Sequence, residues 1–473
     1  MILLISFMGC ASTPTVELEA PVEPIVEVSP IPSTGELPVW SPLVPEVFEL
    51  SNGANVWLIE DHRLPMLSLR MVFEGGAIHD PEGQEGLAYM TTTMMGESAG
   101  ERSSLEVAQA ASDIAVSFGS SGVNYTSFGF YLNCDPSTLV EGLELMSDMV
   151  IRPQFTQEDW NRVHNQRYLS ALSDREEGAS LSREVGRAHW IEEGNPWGRS
   201  VSGTPSSLNN MTLAQVVDNY QRMVSPNFAG YVVVGDTTRE EITSALEDAF
   251  GDWEGPSVLP EVPARTLGEP RMVFVDDPGA SQTSIYVLGD APSLQNVERY
   301  AADMTGVVMG GSFTSRLNSL MREEKGYTYG ARAGFSVSTN GGVFQAHSLV
   351  RGDATVEALS DLIGLLDGAA LGFSPEERGK ARAQVLAGAV DSAESRSGLA
   401  SRFAGRMNND MNPETWGREL ELTMSVTTEE MQVIAERYLA TSGLLFSLAG
   451  DLATIGPMLD EAGFDYTVVA PAP

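Results

Sequence analysis

The chain has 473 residues, enough for two large domains or three of ordinary size. It contains 28 lysines and arginines and 65 aspartates and glutamates, which gives a formal charge of −37. This charge disfavours binding to nucleic acids and to anionic lipid surfaces, since both are polyanions. With 42% hydrophobic and 8% aromatic residues, the composition is that of a folded globular protein rather than of a disordered acidic chain.

The first ten residues form an apolar run that ends in Gly9 and Cys10. This pattern resembles a bacterial lipoprotein signal, in which the cysteine is acylated and becomes the first residue of the mature protein. The resemblance implies lipidation at Cys10 and a lipid-anchored protein of the bacterial cell envelope that faces the periplasm. The alternative is an apolar N-terminal segment with an incidental cysteine.

Residues 11–45 contain eight prolines among valine, glutamate, serine and threonine. Such a composition favours extended chain over any packed element. We therefore predict a proline-rich linker over residues 11–45, with the folded part of the chain beginning near Glu46.

The rest of the chain contains an internal repeat. Residues 231–236 and 446–451 each read as an apolar strand closed by Gly-Asp, and they lie 215 residues apart. Helix-opening capping sequences at Thr212 and Thr427 have the same spacing of 215 residues. Two further pairs of helical segments match in the same order, at Val140 and Val356 and at Phe155 and Phe373. A conserved order with nearly constant spacing indicates duplication.

We therefore predict two homologous halves of roughly 200 residues each. The N-terminal half covers residues 46–255 and the C-terminal half covers residues 270–473, with a proline-rich linker over residues 256–269. Each half is predicted to be an α/β sandwich of the α+β class.

Within the first half, the hydrophobic pattern predicts two neighbouring strands over residues 56–60 and 67–73. Helices are predicted over residues 105–118 and 136–150, with a single strand over residues 122–132 between them. Grouped strands with helices to one side are typical of an α+β sandwich rather than of a doubly wound sheet.

A glycine-rich turn followed by Gly86-Leu-Ala leads into a helix. This frame resembles the insulinase/pitrilysin family of zinc peptidases, in which the helix carries His-x-x-Glu-His and binds zinc through two histidines one turn apart. Here Tyr89 and Thr93 stand at the histidine positions and Thr92 stands at the glutamate position. The family's third ligand, a glutamate, falls at Ser170 or Ala171. The resemblance therefore implies a degenerate site that binds no metal.

No other catalytic centre is evident in the sequence. Neither a Gly-x-Ser-x-Gly sequence nor a phosphate-binding loop is present, and the histidines are isolated from one another. They are His62, His79, His164, His189 and His347. We therefore expect no self-contained catalysis by this chain.

The second half contains the stretch 310–330, which closely resembles the C-terminal-domain signature of the same family. Gly310, Gly311 and Gly326 are interpreted as turn and close-packing residues rather than as ligand contacts. The same stretch supplies an arginine and a tyrosine seven residues apart, on either side of a Lys-Gly turn.

By the resemblance, Arg322 and Tyr329 hold the substrate carbonyl and stabilise the developing oxyanion at the zinc site of an opposite domain. An arginine is a permanent multidentate donor, and a tyrosine hydroxyl can donate to a carbonyl oxygen. Each residue also has a structural interpretation. Arg322 can pair with Glu323 or Glu324, and Tyr329 can be an ordinary strand aromatic.

The lost zinc helix and the retained Arg/Tyr pair together resemble the non-catalytic subunit of a two-chain zinc peptidase with the mitochondrial-processing-peptidase architecture. The resemblance implies a heterodimer with a His-x-x-Glu-His subunit that holds the zinc, and an unfolded peptide as the substrate. The acidic net charge favours basic peptides. Two alternatives stay open: a peptide-binding or structural assembly protein on an inactive peptidase fold, and a divergent hydrolase with another metal arrangement.

Overall fold

A computed structural model describes residues 40–472 of the chain. The predicted signal at residues 1–10, with Cys10, and the predicted linker as far as residue 39 lie outside the described residues. The regular structure of the described chain begins with the first strand at Glu46. Among these residues, no helix combines the length and the apolar character needed to cross a lipid bilayer.

The strands form two six-stranded sheets. The strands of the first sheet are β1 Glu46–Glu49, β2 Asn55–Glu60, β3 Leu67–Glu74, β4 Ser117–Val123, β5 Ser127–Cys134 and β6 Ala229–Gly235. The strands of the second sheet are β7 Met272–Asp276, β8 Gln282–Ala291, β9 Thr328–Ser338, β10 Gly341–Arg351, β11 Leu445–Gly450 and β12 Thr467–Val469.

The helices are divided between the two halves in a similar way. Those of the first half are α1 Leu87–Met95, α2 Ser104–Asp113, α3 Leu139–Ile151, α4 Gln157–Asp174, α5 Gly178–Trp190, α6 Pro205–Asn210, α7 Leu213–Met223 and α8 Arg239–Phe250. Those of the second half are α9 Arg299–Gly306, α10 Arg316–Asn318, α11 Thr355–Gly368, α12 Pro375–Glu394, α13 Arg396–Met407, α14 Trp416–Ser425, α15 Thr428–Tyr438 and α16 Leu452–Ala462. Two π-helical segments, Val307–Gly311 and Ser319–Glu324, flank α10.

The two sheets share one topology over five of their six strands and differ at one edge, where β1 runs antiparallel to β2 but β12 runs parallel to β7. The first has the order β1-β2-β6-β3-β5-β4, and the second has the order β12-β7-β11-β8-β10-β9. The third strand of each order, β6 or β11, runs parallel to the second and antiparallel to the fourth. These two strands contain the repeated segments found in the sequence. The predicted α+β fold of two homologous sandwich halves is confirmed.

One predicted strand pairing is wrong. β2 and β3 are not neighbours, because β6 inserts between them and pairs with both. The inserted strand comes from the end of the same half, far along the chain from the strands that it joins. Hydrophobic patterns show where strands lie but not which strand pairs with which, so the adjacency in sequence was misleading.

The segment between α2 and α3 also differs from the prediction. Helix α2 ends at Asp113, because Ala115 adopts a left-handed conformation with φ of 55°, and Phe118 already belongs to β4. The single strand predicted over residues 122–132 is a hairpin of β4 and β5, closed where the Asn124 N–H donates to the Ser127 carbonyl.

The halves exchange helices. Each sheet has one face covered by helices of its own half, α3 and α8 for the first sheet and α11 and α16 for the second. The other face of the first sheet is covered by α12 and α13 of the second half, and that of the second sheet by α5 of the first half. Burial on both faces explains why strands such as β6 are apolar throughout.

Polar and close-packed contacts fix the exchanged helices in place. The Ser182 hydroxyl of α5 lies 2.7 Å from the Ser284 hydroxyl of β8, and both are buried. Gly186 of α5 allows close approach, because a Cβ at this position would lie 3.0 Å from the Ser447 Cβ of β11. On the other sheet, the buried Arg70 of β3 donates to the Ser401 hydroxyl of α13 at 3.2 Å.

We predict that Phe403→Ala lowers the free energy of unfolding by about 3–5 kcal/mol, because it opens a cavity between α13 and the first sheet. The Phe403 ring is fully buried and packs edge-on against Trp57 of β2. Chemical denaturation measures the loss, and both halves should unfold in the same transition. Leu105→Ala on exposed α2 is the control, with an expected change within about 0.5 kcal/mol. Separate transitions for the two halves in Phe403→Ala would contradict the interlocked packing.

Candidate functional site

The start of α1 is fixed by a buried carboxylate. Asp80 accepts hydrogen bonds from the backbone N–H groups of Gly86 and Ala88, both at 2.9 Å. Gly86 has φ of 88°, and a Cβ there would lie 2.6 Å from the Gly203 backbone nitrogen. The glycine is therefore required both by the turn and by the close approach of the chain.

The three degenerate positions lie on this helix with their polar groups already engaged. Thr92 is buried and its hydroxyl donates to the Ala88 carbonyl at 3.0 Å. Thr93 is half-buried and its hydroxyl donates to the Tyr89 carbonyl at 2.8 Å. Neither the threonines nor Tyr89 provides the imidazole or carboxylate ligands that zinc prefers.

A cation joins the degenerate helix to the predicted position of the third ligand. The guanidinium of Arg167, on α4, lies 5.8 Å from the ring centroid of Tyr89 and donates to the Ser170 hydroxyl at 2.9 Å. It also donates to the Ser202 carbonyl at 2.9 Å, and its side chain is only 11% exposed. Ala171 is buried beside it. These side chains do not fit a zinc ion, because they lack zinc ligands and place a fixed positive charge beside Tyr89.

Sequence reasoning did not identify Arg167. The sequence does contain a signal for it: Arg167 lies three residues before Ser170 on a helix, and this spacing places both side chains on one face. Across residues 40–472 as a whole, no group of three His, Cys, Asp or Glu side chains is arranged to hold a metal ion. Three of the histidines have structural partners: His62 contacts the Asp236 carboxylate, His164 contacts the Leu208 carbonyl, and His189 contacts the Arg271 guanidinium.

The second candidate site begins where the segment Val307–Gly311 crosses β9. Gly310 packs directly on this strand, because a Cβ at Gly310 would lie 1.9 Å from the backbone nitrogen of Ala333. Asn318 ties the following turn to the same strand. Its side-chain amide donates to the Phe313 carbonyl at 2.7 Å, and its side-chain oxygen accepts from the Ala331 N–H at 3.2 Å.

The turn between Arg322 and Tyr329 is anchored to α11. Gly326 adopts a left-handed conformation with φ of 66°. The Tyr327 hydroxyl donates to the Asp361 carboxylate at 3.0 Å, and the Lys325 ammonium lies 3.3 Å from the same carboxylate. The backbone on both sides of the Lys-Gly turn is therefore held in one conformation.

Arg322 and Tyr329 both point away from the core. The Arg322 side chain is 40% exposed, lies over the Phe313 ring at 4.8 Å from its centroid, and pairs with Glu323 at 3.1 Å. Tyr329 is 91% exposed and lies at the start of β9, the edge strand of its sheet. An edge strand can pair with an added peptide strand, and exposed donors beside it can bind the peptide's carbonyl groups.

Two family models match the chain. The model described as "Insulinase (Peptidase family M16)" matches residues 55–197, and the model described as "Peptidase M16 inactive domain" matches residues 210–385. An uncharacterized zinc protease of Mycobacterium tuberculosis is 22% identical over 429 residues, which cover 89% of this chain and 93% of the relative.

Solved structures share the fold. The peptidase M16 inactive domain from Pseudomonas fluorescens matches with a TM-score of 0.80 and 19% identity, covering 86% of this chain and 98% of that one. A chain from the structure of Complex III2 from Candida albicans matches with a TM-score of 0.70 and 13% identity, covering 87% and 97%. At these identities the structural likeness shows the fold alone.

Asp80 makes the stability of the folded chain depend on pH. Burial raises the pKa of Asp80 from 3.8 to about 7, although hydrogen bonds from Ala88 and Gly86 oppose the increase. A raised carboxyl pKa stabilises the folded chain below pH 3.8, and this stabilisation is lost as the pH rises through 7. We predict that Asp80→Asn removes this dependence. Between pH 4 and pH 7, the wild type should lose up to about 4 kcal/mol relative to the variant.

Denaturation at a series of pH values measures this difference, with Asp80→Asn and the wild type compared in the same buffers. Asp113→Asn, at the end of α2, is the matched control. Parallel stability curves for the wild type and Asp80→Asn over this range would show that Asp80 does not titrate there.

Proposed function

The chain belongs to the insulinase family of zinc peptidases, peptidase family M16, and on that premise we propose that it is the non-catalytic subunit of a two-chain metallopeptidase. In this proposal a homologous partner with an intact His-x-x-Glu-His helix holds the zinc. The present chain contributes Arg322 and Tyr329, which bind an unfolded peptide and stabilise negative charge on its carbonyl oxygen.

The observation that carries the proposal is the exposure of Tyr329 on a rigid support. A strand tyrosine with a structural role packs its ring against neighbours, whereas this ring is 91% exposed. The turn before it is anchored through Asp361, so the hydroxyl is presented to the outside from a fixed backbone. Fixed donors of this kind suit transition-state binding because they need little reorganisation.

The structural interpretation of Arg322 is compatible with this role. Arg322 does pair with Glu323, but both side chains are substantially exposed, at 40% and 52%. An exposed ion pair of this kind contributes at most about 1 kcal/mol. A peptide carbonyl or a developing oxyanion can therefore replace Glu323 as the partner of Arg322 at little cost.

The degenerate site supports the assignment of zinc to the partner. Tyr89, Thr92 and Thr93 offer no zinc ligand, and Arg167 lies over Tyr89 as a fixed cation. On the proposal, this chain binds no metal cofactor and is not catalytic alone.

A structural or assembly role is the second candidate. It is favoured by the likeness to a chain from the structure of Complex III2, which shares the fold over 87% of this chain. A peptide-binding or scaffolding protein of this kind would assemble with a partner but add nothing to its peptidase activity.

We further propose that the protein is anchored to the bacterial cell envelope through a lipid on Cys10 and faces the periplasm. We predict that Cys10→Ser moves the protein from the membrane fraction to the soluble fraction and abolishes incorporation of labelled fatty acid. Retention of Cys10→Ser in the membrane fraction would reject the anchor.

The proposed function is tested by reconstitution. The chain is purified alone, assayed for zinc and for peptide hydrolysis, and then mixed with a zinc-competent homologue from the same genome. The proposal expects activity only in the mixture, with the zinc in the partner chain. Assembly without any gain in activity would favour the scaffolding role, and zinc held by this chain alone would favour a divergent hydrolase.

We predict that Arg322→Ala and Tyr329→Phe each lower kcat/KM of the two-chain enzyme by roughly a hundredfold, because each removes one donor to the developing oxyanion. Size-exclusion chromatography should show unchanged assembly, since both side chains are exposed. Arg418→Ala, at an exposed arginine paired with Glu421, is the matched control. Full turnover in both site variants would reject the assigned role of the pair.

A further inference from the structure

Beside the degenerate helix lies a cavity of about 330 Å³, bounded by α4, α5 and residues 198–205. Two carboxylates, Asp174 and Glu184, face it. Its positive charges all come from arginine, and these are Arg167, Arg175, Arg183, Arg187 and Arg199. The cavity, called here the arginine pocket, therefore has a formal excess of three positive charges.

This local charge is opposite to that of the chain. The formal net charge is −37, yet five of only 28 basic residues line this one cavity. Side chains of like charge repel one another when they are brought together, and part of the repulsion here is left without internal compensation. A cluster of this kind favours an anionic ligand.

Three of the arginines are partly satisfied within the chain. Arg167 contacts Asp174 at 3.2 Å and Arg175 contacts Glu184 at 3.0 Å. Arg199 donates to the Asp80 carbonyl at 3.1 Å, but its nearest carboxylate oxygens are 4.0 Å away.

The other two arginines make no ion pair with any residue in the range 40–472. Arg183 makes no hydrogen bond there either, whereas the Arg187 guanidinium lies within hydrogen-bond reach of the hydroxyls of Tyr125 and Tyr286. Arg183 is exposed on α5, and Arg187, one turn further along, lies over the Tyr125 ring at 5.3 Å from its centroid. The Arg183 guanidinium therefore keeps its hydrogen-bond donors available to a ligand, whereas those of Arg187 are partly engaged by the two tyrosines.

The positive surface extends from the pocket toward β9. His347 of β10 is paired across the sheet with Arg332 of β9. Burial lowers the pKa of His347, and the nearby charges of Arg183 and Arg332 lower it further. Arg183 therefore lies near β10, the strand that pairs with the edge strand β9.

A segment of peptide already lies at the rim of the pocket. The Arg175 guanidinium donates to the backbone carbonyl of Ala472 in the segment that follows β12. The rim therefore accommodates polypeptide main chain, which favours a peptide over a small free anion as the occupant.

We propose that the arginine pocket binds acidic side chains of a peptide, with Arg183 as the principal carboxylate partner. This inference rests on the proposed function and adds a preference for glutamate- and aspartate-rich segments to it. It replaces the preference for basic peptides that the net charge favours, because the ligand meets the local charge at the pocket rather than the sum over the chain.

The test uses the purified chain and three fluorescent peptides of one length, which carry glutamate, glutamine or lysine at the same positions. Fluorescence anisotropy should show that the glutamate peptide binds at least tenfold more tightly than the others, with an affinity that falls as salt rises. Arg183→Gln should weaken binding of the glutamate peptide roughly tenfold, and Arg183→Glu, which lowers the formal excess of positive charge in the pocket from three to one, should weaken it further. Arg418→Gln, outside the pocket, should bind like the wild type.

Equal binding of the three peptides, or glutamate-peptide binding unaffected by Arg183→Glu, would overturn the proposal. Citrate and inorganic phosphate serve as competitors, each at the concentration of carboxylate groups that the peptide supplies. Displacement of the peptide by either anion at that concentration would assign the pocket to small anions instead.

The experiment separates this inference from the proposed function. Selective binding with no activity in the reconstituted mixture would reject the proposed subunit role but support the pocket. Activity in the mixture without selectivity for acidic peptides would reject the pocket alone.

Discussion

The structure depends on the reciprocal covering of two sheets. Each half builds a sheet with two apolar faces and covers one of them with its own helices. The second face is buried by helices of the other half, α12 and α13 on the first sheet and α5 on the second. Separated from its partner half, the first sheet would expose Trp57, Val232 and Val234 to water, and the second would expose Val273 and Leu445. Burying that area requires both halves, so the two homologous halves have to fold together.

The same constraint positions the functional surfaces. Helix α5 is held on the second sheet by Leu181 and Val185, and residues on its other side, Arg183 and Arg187, line the arginine pocket. Helix α1 is likewise fixed independently of any metal, by Asp80 at its start and by the buried side chains of Met90 and Met94. The frame of the site is therefore held by the carboxylate and by apolar packing, to which Tyr89 and the buried Thr92 also contribute.

Sequence reasoning predicted the local patterns that repeat along the chain but missed the contacts between segments that are distant in sequence. The Gly-Asp strands and the capping boxes at Thr212 and Thr427 are local patterns, and both boxes form. The insertion of β6 between β2 and β3 is a long-range pairing that no local pattern specifies. The hairpin of β4 and β5 was also missed, because β4 is rich in serine and glycine and has little β-propensity.

The degenerate site also combines residues that a local pattern locates with a residue that is distant in sequence. The family frame located Tyr89, Thr92 and Thr93, but the cation that now lies over Tyr89 comes from α4, which is distant in sequence. The five arginines of the pocket are spread over residues 167–199 and become a cluster only when α4, α5 and the following loop fold together.

This distribution of charge explains how a strongly acidic chain can select an acidic ligand. Interactions between exposed charges are screened over about 8–10 Å at physiological salt, so the carboxylates on distant surfaces contribute little inside a cavity. Guanidinium groups at the cavity wall act at hydrogen-bond distance and are screened far less. The acidic exterior then slows the approach of acidic peptides without determining what the pocket holds, because approach depends on the long-range field and retention depends on the contacts.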